Sequence, residues 1–213
     1  CGTVFRKKMS ASQDSEVVNL LKNAGAIIMG KTVTAELAYI HPGKTTNPHD
    51  YSRTPGGSSS GSAAVIASQM APLSIGSQTG GSIIRPASYC GVVGYKPSYG
   101  LISRNGVLKT SYLLDHIGMF GRSVVDVALL AKVLIKKDSH DRATIYYSSE
   151  DMLSETKKGP LFEPKFIFYK TDHWKLIEKK SRDAFEYFIK TFSNGRQFII
   201  ASNSQAPIIQ SGS

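Results

Sequence analysis

Two glycine- and serine-rich stretches decide how this chain folds and what chemistry it carries. Residues 54–62 read Thr-Pro-Gly-Gly-Ser-Ser-Ser-Gly-Ser, and residues 78–82 read Gln-Thr-Gly-Gly-Ser. Each stretch places a hydroxyl on backbone that can turn sharply and leave its N–H groups free, because glycine adopts conformations that other residues avoid. A serine nucleophile with an oxyanion site requires both features. The two stretches, joined by a short apolar segment, therefore predict one serine active site.

The sequence around these stretches alternates between helical and strand-like patterns. A capped amphipathic segment ends near residue 25, a small-residue segment follows the first stretch, and a short apolar run leads into the second. Such alternation predicts an α/β fold. The predicted helices are residues 14–25, 34–40, 62–70, 124–135 and 174–192, and the predicted strands are 26–29, 72–76, 91–95, 165–169 and 197–201.

Composition limits the classes of function. The 213 residues are 41% hydrophobic, which is enough to bury a core, and the net charge of +10 is spread along the chain rather than gathered in a basic run. This pattern favours a basic solvated surface over a nucleic-acid partner. No apolar run is long enough to span a bilayer, so no membrane partner is expected. Two cysteines, Cys1 and Cys90, make no disulfide framework, which makes the cytoplasm the default location. The scattered histidines predict no metal site, and no cofactor is expected.

Residues 25–32 satisfy the P-loop pattern G-x-x-x-x-G-K-[ST] letter for letter. A P-loop places its variable residues in an open loop between a strand and a helix. Here those residues are Ala-Ile-Ile-Met, which is better suited to a strand itself, and Gly25 follows a predicted helix. A nucleotide-binding protein is therefore kept as an alternative of another class. The run Tyr112-Leu113-Leu114-Asp115, which resembles a second nucleotide-binding motif, adds little because such short patterns are common.

Each serine stretch also has a simpler interpretation. Residues 56–62 are only glycine and serine, as in a flexible linker. A linker should separate two folding units, whereas this one follows the turn-fixing Pro55 and runs directly into an apolar helical pattern. Gly80-Gly81-Ser82 alone could be an ordinary turn with a helix-capping serine. The two stretches taken together favour the catalytic interpretation.

With their surroundings, the two stretches resemble the amidase signature family, which implies an α/β fold with a mixed, mostly parallel sheet flanked by helices. The resemblance covers residues 1–135 continuously, in several motifs that keep their order and spacing. Residues 136–213 are interpreted as the start of a variable C-terminal part of the same domain, so the chain is expected to be a fragment truncated at both ends. The motifs are Ala24–Thr32 with Glu36, Asn47-Pro48, Arg53-Thr54-Pro55, Arg85–Gly100, and Leu114–Gly118 with Arg122-Ser123 and Asp126.

The resemblance implies a role for each residue of the two stretches. Ser82 is the expected nucleophile, and Ser58, after a cis peptide bond from Gly57, is expected to pass a proton between Ser82 and a lysine. The N–H groups of Thr79, Gly80, Gly81 and Ser82 are the expected oxyanion hole. Gly57, Ser59, Gln78 and Arg85 are expected to support the site. The implied reaction is amide hydrolysis through an acyl-serine intermediate, with a small-molecule amide as substrate.

The lysine of the family has no counterpart in this sequence. The family places it in a Pro-x-x-x-Lys-Asp-like stretch well upstream of the Gly-Lys-Thr segment, and Lys31 matches that segment instead. Without its base, a serine hydroxyl keeps a high pKa. We therefore expect this chain to be inactive alone.

Two departures from the family pattern bear on the type of amidase. Gln78 stands where the family usually has an aspartate, and the arginine that usually follows the nucleophile by two residues is displaced to Arg85. These departures favour a free-standing small-molecule amidase over a glutamyl-tRNA amidotransferase A-type subunit that releases ammonia. Within the family, the alternatives are that A-type subunit, or a non-catalytic subunit for binding. A homo-oligomer is left open.

Overall fold

The computed structural model describes residues 1–193, 198–202 and 205–210. The chain divides into two compact units, Cys1–Lys158 and Gly159–Ser213. Both serine stretches lie in the first unit. Residues 136–158 belong to this unit as well, and their first residues follow a β-bridge between Ile102 and Ile135.

A three-stranded sheet forms the centre of the first unit. Strands β1 (Leu73–Gln78), β2 (Val93–Tyr95) and β3 (His116–Gly121) are arranged in the order β1-β3-β2. β3 pairs antiparallel with both neighbours, with Gln78 opposite His116 and Leu73 opposite Gly121. Gln78, the first residue of the second stretch, therefore lies at the end of the sheet where β3 starts.

The α/β class is confirmed, but the described strands of this sheet do not pair in the mostly parallel manner that the sequence predicted. β1 and β2 run in the same direction, as expected for two strands joined by a helix. β3 is inserted between them in the opposite direction, so that both hydrogen-bonded pairs are antiparallel. The sequence did not predict β3 as a strand, and this omission produced the wrong strand direction.

Helices cover both faces of the sheet. On one face, Ile117 and Met119 of β3 share a core cluster with helices α1 (Glu16–Asn23) and α4 (Val124–Leu134). On the other face, Phe120 shares a cluster with α2 (Ser60–Ala67) and α3 (Ile84–Cys90). Successive residues of β3 thus contribute to opposite layers, as the alternation of side chains along a strand requires. A short helix α5 (Met152–Glu155) and two 3₁₀ turns, Val4–Arg6 and Glu36–Ala38, complete the unit.

The small residues of α2 allow it to lie close against β1. Six of its eight residues are buried, and a Cβ added at Gly76 of β1 would lie 2.6 Å from Ser59 Oγ and 2.9 Å from a ring carbon of Phe120. Only glycine at position 76 permits this approach. Residues 56–62, for which a flexible linker was the simpler alternative, thus form a largely buried turn that leads into a buried helix.

Residues 26–29 are not the buried strand that their apolar sequence predicted. They form neither helix nor strand, and Ile27 is 90% exposed and Met29 75% exposed. The predicted helix at 34–40 is reduced to the 3₁₀ turn Glu36–Ala38. The other predicted elements of the first unit are present with shifted ends.

The second unit contains the strands β4 (Phe166–Lys170), β5 (Phe198–Ser202) and β6 (Gln205–Gln210) and the helix α6 (Lys179–Phe192). β4 and β5 are parallel, and β5 and β6 are antiparallel. The predicted helix 174–192 is divided into a 3₁₀ turn, Asp172–Leu176, and α6. Phe168 contacts Trp174 and Phe185, with ring centroids 5.4 and 6.2 Å apart, so aromatic packing joins β4 to the helical segment.

Candidate active site

The two serine stretches lie side by side. The Ser59 N–H donates to the Ser82 carbonyl at 3.3 Å, and Arg85 Nε donates to the Gly57 carbonyl at 3.1 Å. The two predicted catalytic residues are both nearly enclosed, with Ser58 2% and Ser82 7% exposed. The structure therefore brings together residues that are 24 positions apart in the sequence.

The first stretch has the backbone geometry that the family resemblance implied. The peptide bond between Gly57 and Ser58 is cis. The Ser58 carbonyl accepts a hydrogen bond from the Ala35 N–H at 2.9 Å, and the Gly61 N–H donates to the Val33 carbonyl at 2.9 Å. Residues 33–35, which follow the Gly-Lys-Thr segment, are thus joined to the first stretch by two backbone hydrogen bonds.

Ser59 and Ser62 fasten this stretch to β1. Ser59 Oγ donates to the Ser77 carbonyl at 3.1 Å and accepts from the Ser77 N–H at 3.3 Å. Ser62 Oγ donates to the Ile75 carbonyl at 2.8 Å. The strand that carries the second stretch is therefore bound directly to the residues that follow Ser58. The supporting role of Ser59 stays a prediction.

Gln78 organises the turn that contains Ser82. Its Oε1 accepts hydrogen bonds from the Ile83 and Ile84 N–H groups at 2.8 and 3.0 Å, and its Nε2 donates to the Gly80 carbonyl at 2.9 Å. The amide side chain is buried, and both its oxygen and its nitrogen are hydrogen-bonded. A carboxylate could accept the two N–H groups but could not donate to Gly80.

The turn leaves its own N–H groups free to serve a ligand. Among the hydrogen bonds of the described residues, none uses the backbone N–H of Gly80, Gly81 or Ser82 as donor. A Cβ at Gly80 would meet no atom within 4 Å, and one at Gly81 would approach only Arg85, at 3.8 Å. The N–H groups of Gly80, Gly81 and Ser82 thus have no acceptor among the described residues, and the side-chain positions of the two glycines are open, as the predicted oxyanion hole requires.

Asp115 is a residue of this region that the sequence did not assign to the site. Its Oδ1 accepts a hydrogen bond from Thr79 Oγ1 at 2.5 Å, and its Oδ2 accepts from the Thr110 and Ser111 N–H groups at 2.6 and 2.9 Å. Burial alone would raise the pKa of this carboxyl, but the hydrogen bonds from Thr79, Ser111 and Thr110 outweigh burial and lower its pKa below 3.8. Asp115 is therefore held as a carboxylate. In the sequence, the place of Asp115 within the family motif Leu114–Gly118 was the feature that could have pointed to it.

The lysines of the described part of the chain make no hydrogen bond to Ser58 or Ser82. Lys22 pairs with Asp14, Lys96 Nζ donates to the Pro97 carbonyl, and Lys31 is exposed. The residues of the P-loop alternative, 25–32, are all exposed and follow α1 rather than a strand. They lack the strand–loop–helix setting that phosphate binding needs.

Other kinds of site have little support among the described residues. These residues contain no group of three or more His, Cys, Asp or Glu side chains that could hold a metal ion. No helix in the described ranges is long and apolar enough to cross a membrane. Both cysteines are unpaired, and burial raises the pKa of the Cys90 thiol.

Comparison with known proteins identifies the family. The Amidase family model matches residues 1–201. The chain belongs to the amidase family. The A-type subunit of glutamyl-tRNA(Gln) amidotransferase from Sulfurihydrogenibium sp. (strain YO3AOP1) is 47% identical over 147 residues, which are 66% of this chain and 30% of that protein. The protein of the same name from Clostridium botulinum (strain Alaska E43) is 38% identical over 197 residues, 88% of this chain and 41% of that protein.

Solved structures of amidase-family proteins share the fold. The crystal structure of the same A-type subunit from Thermotoga maritima has a TM-score of 0.80 at 33% identity and covers 95% of this chain and 45% of that chain. Peptide amidase from Stenotrophomonas maltophilia has a TM-score of 0.73 at 28% identity, over 89% of this chain and 41% of that chain. The amidase signature fold is thus confirmed, and the chain spans less than half the length of these relatives.

The sequence relatives bear on the type of amidase. Gln78 and Arg85 favoured a free-standing amidase in the sequence, whereas the two curated relatives described above are amidotransferase subunits. In the structure, Arg85 still contacts the first stretch through the Gly57 carbonyl, and Gln78 still accepts the N–H groups of its turn. The two departures therefore leave the described geometry of the turns intact and discriminate little between the two types.

Proposed function

We propose that the protein containing this chain cleaves a C–N amide bond through an acyl-Ser82 intermediate. The observation that carries this proposal is the junction of the two stretches, in which the Ser59 N–H meets the Ser82 carbonyl and Arg85 meets Gly57. This junction places two buried serines on neighbouring turns, beside N–H groups for which the described residues provide no acceptor. Membership of the amidase family supports the same chemistry.

The proposed reaction has two steps. Ser82 Oγ attacks the amide carbonyl carbon, and its proton passes through Ser58 and a lysine of the complete protein to the leaving nitrogen. The C–N bond breaks, an amine or ammonia leaves, and an acyl-Ser82 ester remains. Water then adds to the ester carbonyl carbon, and the bond to Ser82 Oγ breaks. A proton from this water passes through Ser58 to Ser82 Oγ, and a carboxylic acid is released. The net change is amide plus water to carboxylic acid plus amine.

The turn from Thr79 to Ser82 supplies electrostatic stabilisation in both steps. Negative charge develops on the carbonyl oxygen as Ser82 adds, and the free N–H groups of this turn are the donors that meet it. Removal of one such donor in a serine hydrolase raises the barrier by about 2.7–4 kcal/mol. The substrate class proposed for the site is a small-molecule amide.

A second candidate function is supported by the sequence relatives. One A-type subunit of glutamyl-tRNA(Gln) amidotransferase is 47% identical to this chain over 147 residues. In that role the same acyl-serine chemistry would release ammonia for use by other subunits, and the partner would be a hetero-oligomeric complex. Ammonia release from L-glutamine, measured for the complete protein with and without its co-purifying subunits, distinguishes this role from hydrolysis of unrelated small amides.

Labelling with a fluorophosphonate tests the nucleophile. We expect the full-length protein to be labelled and Ser82→Ala to abolish labelling, because the phosphorus forms its bond to Ser82 Oγ as fluoride leaves. Ser88→Ala is the matched control, since Ser88 is an exposed serine on α3, the helix that follows Ser82. Labelling that persisted in Ser82→Ala, or that vanished in Ser88→Ala, would refute the assignment.

A further inference from the structure

Asp115 links the proposed oxyanion turn to a polar network outside the two serine stretches. The side chain of Thr79, the first residue of that turn, donates to Asp115 and also contacts Thr110 Oγ1 at 3.0 Å. The Thr79 side chain is thus hydrogen-bonded to two residues of the 110–115 segment, Thr110 and Asp115. The backbone of Thr79 continues directly into Gly80 and Gly81. The Gln78 side chain holds the same turn from the other direction, through Gly80, Ile83 and Ile84.

A buried ion pair fixes the segment that carries Asp115. Arg104 and Asp141 are 3% and 1% exposed and form two parallel hydrogen bonds of 3.0 Å, from Nε to Oδ2 and from Nη2 to Oδ1. Arg104 Nη1 donates to the Tyr112 carbonyl at 2.6 Å. The guanidinium also lies 4.9 and 5.2 Å from the ring centroids of Tyr99 and Tyr112. Such two-pronged pairing leaves the arginine little freedom to move.

We infer that Asp115 is a positioning residue for the oxyanion turn, acting through the hydroxyl of Thr79. Arg104 and Asp141 hold the 104–115 segment, this segment presents the Asp115 carboxylate, and the carboxylate fixes the start of the Gly80-Gly81 turn. The inference rests on the proposed function, since the turn matters only if its N–H groups meet a developing negative charge. Donors of this kind act by being held in place before the reaction begins.

Asp126 is the matched control for Asp115, and the two aspartates lie beyond opposite ends of β3. Asp126 also accepts two backbone N–H groups, from Arg122 and Ser123, at 3.1 and 2.9 Å. Asp115 directly precedes β3 where it pairs with Gln78, whereas Asp126 follows the end of β3 that pairs with Leu73. Asp126→Asn therefore removes a comparable carboxylate about 15–20 Å away along the strand, without touching Thr79.

The test measures the rate of fluorophosphonate labelling of the full-length protein and separates the maximal rate from the half-saturating concentration. Asp115→Asn and Thr79→Val should each lower the maximal rate about tenfold, with the half-saturating concentration within about twofold. The double variant should be no slower than the slower single variant, because the hydrogen bond between Thr79 Oγ1 and the Asp115 carboxylate is lost in each single variant. Asp126→Asn should label at the wild-type rate.

The outcomes separate this inference from the proposed function. If wild type is not labelled at Ser82, the proposed function is wrong, and this inference falls with it. If wild type is labelled but Asp115→Asn matches Asp126→Asn, or Thr79→Val is unimpaired, only the positioning role is overturned. Multiplicative losses in the double variant would also overturn it. Thr79→Val keeps the contacts of Asp115 with the Thr110 and Ser111 N–H groups, so it decides the question if Asp115→Asn fails to fold.

Discussion

At the scale of single residues, Gln78 shows how one side chain can hold the turn that contains Ser82. It satisfies two N–H groups and one carbonyl of the seven-residue segment that contains Ser82. A leucine of similar size would leave the N–H groups of Ile83 and Ile84 without the acceptor that Gln78 provides. A buried polar group that loses its partner costs about 1–3 kcal/mol.

We therefore expect Gln78→Leu to lower the free energy of unfolding by about 1–3 kcal/mol more than Gln78→Glu, which keeps the acceptor oxygens. Urea denaturation of wild type and both variants measures this difference. Equal losses in the two variants would show that the N–H contacts of Gln78 contribute little.

The buried pair of Arg104 and Asp141 predicts a dependence of stability on pH. The hydrogen bond from Arg104 lowers the pKa of the Asp141 carboxyl from 3.8 to about 2. Because the folded-state pKa is the lower one, the folded state gains stability above pH 3.8 and loses it as the pH falls towards 2. The shift corresponds to about 2 kcal/mol.

Asp141→Asn should therefore reduce stability at pH 7 and flatten the decline in stability between about pH 5 and pH 2. The pKa values of Asp115 and Asp138 are lowered as well. This variant should therefore still lose some stability as the pH falls. Urea midpoints measured across this pH range test the prediction. An unchanged slope in Asp141→Asn would contradict the assigned pairing.

The residues that sequence alone could predict are those in local patterns. The two glycine- and serine-rich stretches are recognisable by composition and spacing, and the family resemblance is what singles out Ser58 and Ser82 within them. Asp115 and Arg104 are not recognisable by composition and spacing, because their partners Thr79 and Asp141 lie 36 and 37 positions away. Nothing in the composition near either residue indicates which distant hydroxyl or carboxylate it will contact.

At the scale of elements, the contact between α2 and β1 holds the two serine stretches together. Gly76 makes this contact close, since a Cβ there would overlap Ser59 Oγ and Phe120. Both neighbours are buried: Ser59 directly precedes α2, and Phe120 lies on β3. Overpacking of a core position costs about 1–3 kcal/mol.

Gly76→Ala should therefore lower the free energy of unfolding by about 1–3 kcal/mol and also reduce fluorophosphonate labelling, because Ser59 moves with Ser58. Gly30→Ala is the matched control, since a Cβ there would meet no atom within 4 Å. Thermal unfolding and labelling are measured on both variants. A normal labelling rate in Gly76→Ala would show that the serine site tolerates a wider gap between α2 and β1.

Elements with a strong local pattern were predicted, and those that depend on distant pairing were not. α4 begins at a capping box in which Ser123 and Asp126 exchange hydrogen bonds, and its apolar pattern predicted it to within one residue. β3 contains two glycines in six residues, which obscures its strand character, although five of its residues are buried. Residues 26–29 have a strand-like sequence but pair with no described strand.

At the scale of the whole molecule, the chain contains a connected set of site residues within a fold shared with larger proteins. The likeness to the Thermotoga maritima protein extends over 95% of this chain but only 45% of that one. The net charge of +10 is carried by side chains spread along the chain, and the two predicted catalytic serines are buried. Because this chain corresponds to less than half of that larger protein, the chemistry proposed for the two turns is best tested in the complete protein.

Peptide mapping of the fluorophosphonate adduct on the full-length protein tests the role of Ser82 most directly. We predict a single phosphonylated residue, Ser82, and loss of the adduct in both Ser82→Ala and Ser58→Ala, because the role proposed for Ser58 is to carry the proton that Ser82 must lose. An adduct on Ser58, or an undiminished adduct on Ser82 in Ser58→Ala, would contradict these assignments.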